Sequence, residues 1–194
     1  MTISLVAGLG NPGREYGNSR HNLGWTVVEA LARKHRLAWR AEPRFDADVA
    51  RWDRPGGATL WLLKPLTFMN DCGRAVGAMA RYHKLPAGAV AVVYDDLAIG
   101  LGRLKVSVTG SAGGHNGVAS LLEHLGDGFA RYRIGIGPKA PAEMDLKDYV
   151  LANFTPEQLT IIQQKTEFYL QGLEELLASG ADQAMNRLNR KEPT

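Results

Sequence analysis

Short apolar runs rich in β-branched residues recur along this chain, and segments of helical period separate several of them. That alternation restricts the fold more than any other feature. The runs cover residues 3–7, 58–63, 89–94, 104–108 and 132–136. Residues 23–35 carry Leu23, Val27, Ala30 and Leu31 at helical spacing. Residues 75–82 do the same with Ala75, Val76, Met79 and Ala80, and residues 118–125 with Leu121, Leu122 and Leu125. Residues 45–63 differ: two strand-like runs flank Arg54-Pro55-Gly56-Gly57, which predicts a hairpin. Strands alternating with helices, plus one hairpin, predict an α/β fold in which helices sandwich a mixed β-sheet. No repeat, low-complexity tract or Ser/Pro-rich linker divides the sequence, so residues 1–194 read as one domain.

The C-terminal part has the clearest helix signature. Thr155-Pro156-Glu157-Gln158 is a capping box with proline at the first helical position. Leu159, Ile162, Tyr169, Leu173, Leu176 and Leu177 then form an apolar stripe, and Gly180 stands where a helix C-cap belongs. This part reads as scaffold.

Composition narrows the chemistry. A single cysteine, Cys72, rules out an intramolecular disulfide and fits a reducing compartment. Cysteines and histidines at ligand spacing are too few to suggest a zinc site. The apolar run at 3–7 is too short to span a bilayer and lacks a charged segment before it, so neither a membrane span nor a signal peptide is expected. A net charge of +3 permits a nucleic-acid partner without requiring one.

The residues that follow the strands carry the chemical information. Asn11 follows the first run, Asn70 comes shortly after the second, and Asp95-Asp96 follow Val92-Val93-Tyr94. In open α/β sheets, ligands bind beyond the carboxyl ends of the strands, so three strands can deliver two amides and a carboxylate to one rim. His21-Asn22 and His115-Asn116 each precede a helical segment, where side chains and free backbone N–H groups can face the same cleft. Asn11 and Asn70 read either as turn caps or as amides that bind a carbonyl or peptide group.

Gly8-Leu9-Gly10-Asn11-Pro12-Gly13 matches the G-x-G-x-x-G dinucleotide fingerprint after a strand. The residues that follow are polar and glycine-broken rather than an amphipathic helix, and no acidic residue ends a second strand at ribose spacing. A tight turn explains the glycines equally well. Among the five histidines, His35 and His83 sit near helix ends, His124 lies within a helix, and His115 lies among glycines where it can hold a loop. His21 follows an irregular loop with no apolar stripe to claim it, and reads either as a general base or as a solvated loop residue. No G-x-S-x-G elbow is present and Cys72 has no neighbouring helper. A histidine paired with an aspartate and lacking a nucleophile points to a water-activating hydrolase.

At these residues the sequence resembles the bacterial-type peptidyl-tRNA hydrolases, from Ile3 to about Leu188. The resemblance is carried by Gly8 through Gly13, Tyr16, Arg20-His21-Asn22-Leu23-Gly24, Lys64-Pro65-Leu66-Thr67-Phe68-Met69-Asn70, Asp95-Asp96-Leu97, Gly113-Gly114-His115-Asn116-Gly117 and Arg133-Ile134-Gly135-Ile136-Gly137, all in order. It implies hydrolysis of the ester between a peptide and the 3′ ribose of tRNA, with His21 as general base and Asp95 as its partner. It also implies that Asn11, Asn70, Asn116, Tyr16 and Met69 bind the peptidyl and ribose end. Lys105 and Arg133 would contact tRNA phosphates, which fix register without reading sequence. A cytoplasmic monomer with no metal, cofactor, membrane or obligate protein partner is implied as well. Ser107 stands where many relatives carry a second basic residue, and residues 138–141 depart from the usual segment. A non-catalytic RNA-binding relative and a dinucleotide-binding enzyme are the alternative readings.

Overall fold

The computed structural model describes residues 2–54 and 57–190. In chain order its elements are β1 (Leu5–Gly8), α1 (Leu23–Lys34), β2 (Trp39–Glu42), β3 (Ala47–Asp53), β4 (Thr59–Pro65), α2 (Cys72–Tyr82), β5 (Val90–Gly100), β6 (Leu104–Ser107), α3 (Asn116–Leu125), β7 (Ala130–Gly137), α4 (Leu146–Leu151), α5 (Pro156–Gln164), α6 (Thr166–Ser179) and α7 (Ala181–Leu188). The strands form one seven-stranded sheet in the order β2-β3-β4-β1-β5-β7-β6. Its centre is parallel, β1 pairing with β4 and β5, and β5 with β7. Antiparallel strands close both sides. The mixed α/β sandwich expected from the sequence is the fold observed.

The central strands are buried on both faces, which is why they read as continuous apolar runs. Side-chain alternation then divides them between two cores. Leu5, Ala7, Val90, Val92 and Tyr94 pack with α2 and α3 on one face. Val6, Ala91, Val93, Tyr132 and Ile134 pack with α1, α6 and α7 on the other. Each fully buried leucine or valine contributes about 1.5–3 kcal/mol. The hairpin is present, with Asp53 opposite Thr59, although Pro55 and Gly56 lie outside the described residues.

Three expectations need correction. Asp95 and Asp96 lie within β5 rather than after it, because that strand runs on past an irregularity between Asp96 and Gly100. The C-terminal stripe is carried by two helices rather than one, broken at Lys165, while Gly180, with φ of 80°, ends α6 where the C-cap was expected. Leu159 leaves the stripe and is 42% exposed, since α5 buries only Ile162.

Helix spacing depends on glycine. A Cβ at Gly24 would lie 2.3 Å from the Val93 carbonyl oxygen, and one at Gly8 2.4 Å from that of Gly24, so α1 rests directly on β1 and β5. On the other face α2 crosses α3 in the same way. A Cβ at Gly73 would lie 2.1 Å from the Ser120 carbonyl oxygen, and one at Gly77 2.9 Å from that of His124.

Candidate active site

The carboxyl ends of β1 and β4 lie side by side with the outer part of β5, and a cleft of about 890 Å³ opens above them. Asn11, Tyr16, His21, Met69, Asn70, Asp95, Asn116 and Arg133 all line it. Residues 145–151, from α4 and the residue before it, contribute to the opposite wall. Lys105 does not line the cleft. It is exposed on β6, directly opposite Arg133 of β7, so the two cations share one face of the sheet.

His21 sits in a one-turn 3₁₀ segment, Arg20–Asn22, that leads into α1. Both neighbours fix it. The Arg20 guanidinium donates to the carbonyls of Tyr149 (3.0 Å) and Ala152 (3.1 Å) and to Gln158 Oε1 (2.7 Å), and it lies over the Tyr149 ring. Gln158 is also the closing residue of the capping box, so the C-terminal scaffold directly anchors the histidine turn. Asn22 accepts from the Asn11 N–H (2.9 Å) and donates to the Asn11 carbonyl (3.0 Å), clamping that backbone.

The His21 ring is buried, and Nδ1 faces both Asp95 oxygens at 2.9 and 3.1 Å. An ionised carboxylate only accepts, so Nδ1 carries the proton and Nε2 keeps its lone pair. Nε2 has no hydrogen-bond partner among the described residues. Asp95 itself is 1% exposed. Burial alone would raise its carboxyl, but the charges and hydrogen bonds of His21 and His115 hold it well below the ordinary carboxylate range.

His115 is the residue that the sequence reading left out of the site. Its Nδ1 accepts from the N–H groups of Gly117 (3.1 Å) and Val118 (3.3 Å), capping α3. Its Nε2 must therefore carry the ring proton, which it donates to Asp95 Oδ1 at 3.2 Å. One carboxylate thus receives two imidazole donors. The available signal was the repeated His-Asn doublet before a helix, at His21-Asn22 and His115-Asn116. His21, Asp95 and His115 place their ligating atoms within 4.8 Å of one another. The spacings to Asp95 are those of N–H···O bonds, and a metal ion here would require both imidazole protons to be displaced.

The amides are oriented as well. Asn11 Oδ1 accepts from the Met69 N–H at 2.6 Å, which leaves its Nδ2 as the donor for the cleft. Asn70 and Asn116 are exposed at the starts of α2 and α3. On the far side Arg133 pairs with Asp96 at 2.9 Å. Arg131, 2% exposed, donates to the Ser111 carbonyl at 2.8 Å and to that of Gly110, holding the glycine loop that delivers His115.

The G-x-G-x-x-G glycines are packing residues. Gly8 touches Gly24, a Cβ on Gly10 would strike the Trp25 ring, and a 3₁₀ turn at Arg14–Tyr16 follows in place of a phosphate-binding helix. The dinucleotide alternative therefore has no cradle here.

Comparison with known proteins points to one family. Residues 5–194 match the family described as Peptidyl-tRNA hydrolase. The chain is 42% identical over 192 residues to a peptidyl-tRNA hydrolase of Gloeobacter violaceus, covering 98% of this chain and 96% of the relative. It is 40% identical over 189 residues to that of Desulfitobacterium hafniense, covering 97% and 100%. The crystal structure of the Acinetobacter baumannii peptidyl-tRNA hydrolase superimposes with a TM-score of 0.90 at 32% identity, covering 99% of this chain and 97% of that one.

Proposed function

The chain belongs to the peptidyl-tRNA hydrolase family, hydrolases that act on the ester between a peptide and its tRNA, and from that premise we propose that His21 is the general base. The observation that supports this most directly is the pinning of His21 Nδ1 by Asp95, which leaves Nε2 at the cleft with no partner among the described residues. A water held at Nε2 gives up a proton as its oxygen bonds to the ester carbonyl carbon. Asp95 stabilises the resulting imidazolium. The Nδ2 of Asn11 and the amides of Asn70 and Asn116 donate to the carbonyl oxygen as negative charge gathers there. The bond from that carbon to the 3′ ribose oxygen then breaks, and the leaving oxygen takes the proton back from Nε2. Peptide acid and tRNA with a free 3′ hydroxyl are the products.

Tyr16 and Met69 pack beside the acyl group, and Lys105 and Arg133 hold tRNA phosphates from the β6–β7 side. This chemistry uses water, an imidazole and amides and calls on neither metal nor cofactor. We place the protein in the cytoplasm, acting as a monomer without an obligate protein partner. The test is peptide release from purified N-acetylaminoacyl-tRNA. His21→Ala should lose about 10²–10⁴-fold in turnover while still binding tRNA. Near-native turnover in that variant would overturn the assignment, and so would a parent protein that binds tRNA without cleaving it.

A further inference from the structure

The cleft has two sides of opposite character, and the sheet order sets them apart. On the β7–β6 side stand Arg133 and Lys105. On the β4–β3 side the cleft passes over Phe68 and Asn70 into a second groove of about 500 Å³. Leu66 and Phe68, 40% and 58% exposed, give this groove an apolar surface. Its charged lining is three carboxylates, Glu42, Asp46 and Asp71, with one cation, Arg74, already paired to Asp46 (2.6 Å) and Asp71 (2.9 Å), while Arg44 reaches Glu42 at 3.7 Å from outside the lining. Thr67 also lines it, with a buried hydroxyl that has no partner among the described residues.

We infer that this groove is the subsite for the distal residues of the peptide, those beyond the first one or two from the ester. The inference rests on the hydrolase reading above and adds to it a determinant of peptide length and polarity. A tRNA is a polyanion, and carboxylates along a wall repel its phosphates while cations attract them. The substrate's two halves must leave the scissile bond in different directions. The RNA therefore takes the basic side, and the peptide takes the side that is apolar and acidic. An extended peptide advances about 3.3–3.6 Å per residue, so a chain anchored at Asn70 reaches the Leu66 surface within a few residues. The groove favours peptides with apolar or basic side chains at those positions.

The test compares two substrates on the full-length protein: N-acetylaminoacyl-tRNA, too short to reach the groove, and an apolar hexapeptidyl-tRNA. Ala41→Trp fills the groove, and Leu66→Ser removes part of its apolar surface; neither residue lines the catalytic cleft. Both variants should cleave the short substrate at the parent rate, which also shows that they are folded. Both should lose about tenfold in kcat/KM on the long one, mostly through KM. Equal losses on both substrates, or no loss on either, would overturn the subsite. Weaker binding of deacylated tRNA would overturn it too, because the groove would then hold RNA. A parent protein that cleaves neither ester would remove the hydrolase reading and the subsite together.

Discussion

Replacing Asp95 with asparagine exchanges a carboxylate that accepts two imidazole donors for an amide with one accepting oxygen. His115 decides which donor keeps that oxygen. Its Nδ1 is committed to the Gly117 and Val118 N–H groups, so its Nε2 can only donate. In the variant the amide oxygen stays at the Oδ1 position, which both rings reach and for which His115 competes, and the NH₂ takes the Oδ2 position, 3.1 Å from His21 Nδ1. A donor facing Nδ1 moves the His21 proton to Nε2, the atom that has to accept from water. An imidazole held in the wrong tautomer costs about 10⁴-fold in turnover, about 5.5 kcal/mol of barrier. Asp95→Asn should therefore be as damaging as His21→Ala, although it removes no ring. Adding His115→Ala leaves the shared oxygen to His21 alone, with no competing donor. The double variant should then be faster than Asp95→Asn alone, even though His115→Ala should slow the parent enzyme. Single-turnover hydrolysis of N-acetylaminoacyl-tRNA supplies the four rates of the cycle, and the ¹⁵N shifts of His21 report its tautomer. A double variant no faster than Asp95→Asn, or an Asp95→Asn enzyme close to the parent rate, would refute the tautomer argument.

Lys105→Ala and Arg133→Ala should each raise KM more than they lower kcat, and each should flatten the salt dependence of binding by about one unit of slope; a loss confined to kcat sinks the phosphate contact. Hydrolysis should survive exhaustive chelation when the tRNA fold is held constant, and loss with rescue by a divalent cation would contradict the proposed chemistry. Cys72 gives a stability prediction with a definite sign. Burial pushes its thiol up to about 12, while the unfolded chain ionises near 9.0, so between those values the unfolded state holds fewer protons and stability falls as pH rises. Denaturation midpoints measured below 9.0 and near about 11 should show a larger alkaline loss for the parent than for Cys72→Ala, and equal losses would count against it.

The sequence was legible where local chemistry and tertiary contact agree. The parallel strands announced themselves because both faces are buried, and the Thr155–Gln158 capping box formed as its residues require. Strand β2 escaped notice because Trp39-Arg40-Ala41-Glu42 is an edge strand with its two middle residues exposed, so no apolar run marks it. Helix α4 is only six residues long and buries one of them, Tyr149. The groups lining the cleft could be named from the strand ends. What could not be read was their mutual orientation. The link between His115 and Asp95 spans twenty residues and depends on a loop held by a buried arginine from a later strand. Arg20 meets carbonyls 129 and 132 residues away, a partnership with no local signature.

Asn70 stands in the turn that enters α2, and Asn116 is the first residue of α3, so the two amides are mounted on helices whose backbones touch at Gly73. In the proposed reaction they are the jaws of a caliper whose gap is set away from the cleft, at a buried crossing. A methyl group at position 73 would have to open that crossing until the 2.1 Å approach to Ser120 exceeded 3.0 Å, a displacement of about 0.9 Å. A misplacement of about 1 Å in a reacting geometry can cost about 10²-fold in rate. Catalytic efficiency in this enzyme is therefore exposed to mutation at a buried glycine, with every residue of the cleft left intact.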